Sequence, residues 1–237
     1  MKSPRFSHGA RLVFASAVVL VAGCASPSGD TANAADGGES KQDGQALYVI
    51  TEADTTGLGQ AIFAGGCFWC TEKDFQEIEG VHTVISGFVG GKEDEPTYDE
   101  VSGARTSHTE AILVTYDRNV LSYEQLVQHF WVNHDPTTND RQFCDRGNQY
   151  RPGIFYLDEA QKAQAEASVD WARAQAKFDE PIVTEITEAG MFWAAENHHQ
   201  DFWKKSPARY YSYRAGCGRD GRLKTLWGDA RNVLTSR

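Results

Sequence analysis

The 237-residue chain has no apolar run at its N-terminus long enough to stay in a membrane as a helix: Leu12 to Ala22 is eleven residues, where a span needs about 20. Positive charge is short, with 23 Lys and Arg against 33 Asp and Glu for a net charge of −10. That balance disfavours nucleic acid as a partner. No repeat of fixed period occurs, which excludes a solenoid or propeller. Of the five cysteines only Cys67 and Cys70 form a close dyad, whereas a structural zinc site normally joins two dyads. Between Ala25 and Thr56 the chain is Gly, Ser, Ala, Asp and Gln with hardly an aromatic. Such a segment cannot bury enough apolar surface to offset its ordering entropy. Residues 24–56 are therefore expected to be a flexible tether.

Lys2, Arg5 and Arg11 precede the apolar run, which ends in Val21-Ala22-Gly23-Cys24. This resembles a bacterial lipoprotein signal, with small residues flanking a cut. The resemblance implies removal of residues 1–23, acylation of Cys24 and lipid anchoring in the cell envelope on the periplasmic face. Ala25 and Ser26 in place of Asp imply the outer membrane. An ordinary secretory signal with a chance cysteine is the alternative. Cleavage leaves 20 basic and 33 acidic residues, a net charge of −13.

Residues 57–237 contain all six Trp and suffice for one well-buried domain. The pattern predicts strands at 59–64, 81–89 and 109–116 and a helix at 67–78. A further helix is predicted from Ser122 as N-cap, with Gln125 at N3 and Leu121 stapled to Leu126. His134-Asp135-Pro136 stops it. A strand at 153–157 follows, then a long Ala-rich helix capped by Asp158 and running to Lys177. A strand at 182–187 and helical structure at 197–204 complete the pass. Irregular alternation with short connections points to a two-layer α+β sandwich.

Gly65-Gly66-Cys67-Phe68-Trp69-Cys70 carries the chemistry. It places Cys67 at a strand-to-helix switch, where helix N–H groups and the macrodipole favour a thiolate and lower the thiol pKa. Phe68 and Trp69 offer aromatic faces that suit a small apolar, polarisable group. The plainer reading makes Cys67 and Cys70 buried core thiols.

The run Gly66-Cys67-Phe68-Trp69-Cys70, then Glu95-Pro96-Thr97-Tyr98, Ser107-His108-Thr109-Glu110, His134-Asp135-Pro136-Thr137, Arg141-Gln142-Phe143-Cys144-Asp145 and Gln149-Tyr150-Arg151 resembles type A peptide methionine sulfoxide reductase. The likeness continues to Glu196-Asn197-His198-His199-Gln200. It implies an α+β fold with a ferredoxin-like mixed sheet and flanking helices. It also implies reduction of the S epimer of methionine sulfoxide, free or in proteins. By this resemblance Cys67 attacks the sulfoxide and becomes a sulfenic acid. Glu110 is the acid, its charged form disfavoured beside an aromatic cleft. Tyr98 and Tyr150 donate to the sulfoxide oxygen, Asp145 orients the site, and Phe68 and Trp69 hold the methyl group. No metal or bound organic cofactor is implied, only an external thioredoxin-like dithiol, and a monomer is expected.

Many relatives have Gly where this chain has Cys70, and Gly-Asn before the Asp, where this chain has Cys144 before Asp145. The family's resolving cysteine is mobile and C-terminal, which implies Cys217, flanked by glycines that let it swing in; Cys144 and then Cys70 rank behind it. Two other functions use the same residues. A thioredoxin-like disulfide oxidoreductase would also use the C-x-x-C, although Phe-Trp between the cysteines and the acid and tyrosines have no part in thiol exchange. A metal module would draw on Cys67, Cys70, Cys144, Cys217 and His198 or His199. The histidine pair reads instead as a solvated helix end or a packing motif.

Overall fold

The computed structural model describes residues 46–47, 57–232 and 234. The signal segment with Cys24, and the tether apart from Ala46 and Leu47, lie outside the described residues. Ala46–Leu47 (β1) differ from the tether expectation by forming a strand. They pair with the strand Phe192–Ala194, so chain upstream of residue 57 joins the sheet edge.

The strands are β1, Leu58–Ala64 (β2), Val81–Val89 (β3), Thr109–Asp117 (β4), Arg141–Gln142 (β5), Asp145–Arg146 (β6), Gly153–Tyr156 (β7), Glu185–Glu188 (β8) and Phe192–Ala194 (β9). The helices are Phe68–Gln76 (α1), Tyr98–Ser102 (α2), Tyr123–Trp131 (α3), Glu159–Gln175 (α4), Phe202–Lys205 (α5), Pro207–Gly216 (α6) and Arg219–Trp227 (α7). The seven-stranded sheet runs β1-β9-β3-β4-β2-β7-β8, while β5 and β6 form a separate hairpin. Neighbours are antiparallel except β7 and β8. In its centre, β3-β4-β2-β7, α1 links β2 to β3 and α3 lies between β4 and β7 in the chain, the split βαβ arrangement of ferredoxin-like sheets.

Alternation along the central strands separates two buried faces. Phe63, Val84, Ile112 and Val114 meet Phe75, Leu126 and Phe130 under the helices. Ile62, Val89, Ala111 and Leu113 turn the other way, toward Phe155 and Phe192. The Phe63 ring stacks 5.2 Å from Phe75 and 5.0 Å from Phe130, fixing α1 and α3 on β2. Ser122 and Gln125 form the expected reciprocal cap, and Leu121 and Leu126 are buried. Asp158 caps α4 by accepting from Gln161 N at 2.7 Å. The expected strand at 182–187 begins later, at Glu185, and of 197–204 only the part from Phe202 is helix.

Gly66 sets the turn from β2 into α1. Its φ is +83°, and a Cβ there would overlap Gln142 Cβ. Gly66→Ala is expected to lower stability by at least about 2 kcal/mol, through left-handed backbone strain and overpacking. A lower urea midpoint at unchanged slope would report it.

Candidate active site

Cys67 is the N-cap of α1 and its thiol makes no capping bond. Its carbonyl accepts from Cys70 N at 3.1 Å and Thr71 N at 3.3 Å. The first helical N–H, that of Phe68, donates to Glu110 Oε2 at 2.9 Å. Glu110 stands on β4 opposite Phe88 of β3, so sheet register carries the carboxyl to the helix start. Burial pushes Glu110 up to about 8; the Phe68 N–H pulls against this and the Asp145 charge adds to it. At that value the carboxyl holds its proton at neutral pH.

Cys67 departs from its expected low pKa. Only 7% exposed, it is held well above the usual thiol range by burial first, then by its contact with Cys70 and the charges of Glu110 and Asp145. The helix-end donor that was to favour its thiolate serves Glu110 instead. The partner thiol moves the other way: a hydrogen bond from Cys67 pulls Cys70 down against burial, with help from Arg219 and Arg214.

An aromatic wall surrounds the pair. Phe68 is buried, with its ring 5.8 Å from Phe88 and 6.1 Å from Tyr98. Trp69 stacks on Phe202 at 3.7 Å and donates through Nε1 to His199 Nδ1 at 3.1 Å. His199 packs 4.0 Å from Tyr98, and burial pushes it down to about 4, so its imidazole is neutral. The packing half of the histidine reading holds for His199, while His198 is exposed.

Tyr98 opens α2 and Tyr150 ends the short 3-10 turn Asn148–Tyr150. Burial, then the nearby charge of Glu110, raises both phenols, with Cys67 and Asp145 adding, so both stay donors around the same centre. Asp145 starts β6, is itself pushed up by burial, and accepts from the Tyr213 hydroxyl. Tyr213 is the residue that sequence reasoning missed. Its phenol is raised by burial and then by Cys67 and Asp145, which places it between the two. The available signal was its spacing, one helical turn before Cys217.

Cys217 differs from the expectation. It does not lie in a mobile segment but at the junction of α6 and α7, bonded to Cys144 with Cα atoms 4.8 Å apart. Cys67 and Cys70 are free. Cys144 sits at the exposed tip of the β5–β6 hairpin. Arg219, two residues beyond Cys217, is buried. It donates to Gly65 O at 3.1 Å and Asn133 O at 2.6 Å, and lies 4.6 Å from the Phe143 ring. One guanidinium thus joins the turn before Cys67 to the hairpin of Cys144. Among the described residues the only grouping of metal-ligating atoms is Cys144, Asp145 and Cys217, within 4.8 Å of one another. The disulfide occupies two of those three, and the wider cysteine and histidine set of the metal reading is not brought together.

Residues 59–231 match the family model described as peptide methionine sulfoxide reductase. The chain belongs to that family. The relative MsrA of Bacillus subtilis (strain 168) is 47% identical over 168 residues, covering 71% of this chain and 95% of its own. Among solved structures, Mxr1 from Saccharomyces cerevisiae in reduced form superposes with a TM-score of 0.60 at 30% identity, over 66% of this chain and 90% of the other. Methionine sulfoxide reductase A of Corynebacterium diphtheriae gives 0.59 at 34% identity, over 64% and 76%. Membership makes the chain an oxidoreductase that reduces methionine sulfoxide with thiols, and the mixed α+β fold agrees with those structures.

Proposed function

We propose that this family member reduces the S epimer of methionine sulfoxide, free or within proteins, with Cys67 as nucleophile and Glu110 as acid. The observation that carries the assignment is a carboxyl held protonated at the helix start beside a buried thiol. As Cys67 sulfur bonds to the sulfoxide sulfur, Glu110 gives its proton to the oxygen and the thiol proton replaces it. The oxygen passes to Cys67 as methionine leaves, so the thiol is oxidised to a sulfenic acid while the sulfoxide is reduced to a thioether. Tyr98 and Tyr150 donate to the developing oxygen charge, with Tyr213 oriented by Asp145. The wall of Phe68 and Trp69 holds the methyl group. Fixing methyl and oxygen together admits one configuration at sulfur.

Cys217 attacks the sulfenic acid, releasing water and forming a Cys67–Cys217 disulfide. Cys144 then attacks Cys217 sulfur, which frees Cys67 and leaves Cys144–Cys217. A thioredoxin-like dithiol reduces that bond by attack at the exposed Cys144. The N-terminal sequence supports an enzyme anchored through acylated Cys24 on the periplasmic face of the outer membrane, with a monomeric catalytic domain.

Mass spectrometry of reduced protein quenched after one turnover without a dithiol tests this path. We expect one methionine per chain from the S epimer, none from the R, a Cys144–Cys217 bond and alkylatable Cys67. Cys144→Ser is expected to stop at Cys67–Cys217. A Cys67–Cys70 bond would remove Cys217 from the path.

A further inference from the structure

We propose that Arg209 is a binding residue for a carboxylate that the substrate carries close to its oxidised sulfur. The inference rests on the reading above in one respect, that the wall of Phe68 and Trp69 receives the sulfoxide. Arg209 lies on α6, one helical turn before Tyr213, and is exposed. Its guanidinium carbon is 5.8 Å from the Trp69 ring centre and 5.6 Å from that of Phe202, at the edge of their stack. The same positive charge acts on Tyr98 and on His199, so it borders the wall from which the site is built.

Among the described residues no carboxylate lies within 4.0 Å of Arg209. Arg214 on the same helix has two carboxylate partners, and Arg219 on the next has one. An unpartnered cation at the mouth of a site, in a chain of net charge −10, is a place for an anion brought from outside. The acids of the site do not fill that role. Glu110 is held protonated, Asp145 accepts from Tyr213, and Glu196 accepts from Tyr98 N. A guanidinium beside an aromatic ring keeps N–H edges free for a carboxylate to meet in a two-point contact.

Two sources supply that chemistry. One is the α-carboxylate of free or C-terminal methionine sulfoxide; the other is an acidic side chain adjacent to the oxidised residue in a peptide. Both lie within roughly 5–9 Å of the methionine sulfur by bond lengths alone.

The test compares kcat/KM within two substrate pairs, using the S-sulfoxides. The first pair is N-acetyl-methionine sulfoxide and its methylamide; the second is a pentapeptide with Asp or Asn before the oxidised methionine. In the wild type the charged member is expected to be favoured, and Arg209→Gln is expected to cut that preference by about three- to tenfold, through KM. Added salt should erode the wild-type preference in the same way. Each ratio is taken within one preparation, so a loss of folded protein cancels. A change confined to the first pair assigns the terminal carboxylate, and one confined to the second assigns the acidic neighbour. Ratios that Arg209→Gln leaves unmoved in both pairs, or an equal loss on both members of each pair, would overturn the proposal. Failure of the wild type to reduce any of the four would instead remove the functional reading itself.

Discussion

Cys67→Ser is expected to lose sulfoxide reduction by at least ~10⁴-fold, the scale on which removal of a nucleophile is felt. A serine hydroxyl is a poor nucleophile toward sulfur, and its oxygen cannot accept the sulfoxide oxygen to give a stable product. Cys70 is not placed to substitute. It is 2% exposed and lies among Phe202, Tyr210 and Trp69 on the first turn of α1. The fold should tolerate the change, because the Cys67 thiol makes no capping bond and serine is a favoured N-cap residue. An unchanged or higher melting temperature beside absent methionine release would therefore separate chemistry from folding. Residual release within tenfold of wild type would move the nucleophile to Cys70.

Glu110→Gln is expected to slow the first step by about 10²–10⁴-fold, the usual contribution of a positioned general acid. The amide oxygen can still accept from Phe68 N, so the helix start keeps its partner, but the side chain has no proton to transfer. The pH dependence gives a sharper check. With the carboxyl at about 8 in the folded protein, the acid form predominates below that value. Single-turnover rates in the wild type should fall as pH rises through 8, and the variant should lack that limb. Stability follows the same group. Its ordinary value is 4.5, so between 4.5 and about 8 the folded chain binds a proton that the unfolded chain has released. The contribution of Glu110 is thus fully present below 4.5 and lost as pH rises through about 8. Thermal midpoints of the variant should depend less on pH across that interval.

Local signals carried the central fold. Gly65-Gly66 after an apolar run marks the β2–α1 turn, and Ser122 with Gln125 marks the start of α3, because each depends on neighbours within a few residues. The three-residue β9 has no such mark, whereas the five-residue α2 carries one in the reciprocal cap of Thr97 and Glu100. β9 is held by its register with Gly87 and Phe88 across the sheet edge, a contact from a distant part of the chain. Glycines around Cys217 suggested mobility, yet the segment is a junction of two helices, with Gly218 at φ +67° starting α7. The pairing of Cys144 with Cys217 spans 73 residues and has no local signature. The acidity of Cys67 was misread for a related reason. Position at a helix start is visible in the sequence, but the claim of Glu110 on the Phe68 N–H arises only when β4 lies beside α1. Tyr213 escaped notice because its turn-spacing to Cys217 matters only once α6 is known to be a helix.

The protonated, enclosed state of Cys67 bears on survival in the setting where such a repair enzyme works. Hydrogen peroxide and hypohalous acids consume thiolates far faster than thiols. A buried sulfur kept as S–H until a sulfoxide binds offers those oxidants a poor target. Between turnovers the resting enzyme is thus shielded from the chemistry whose damage it reverses.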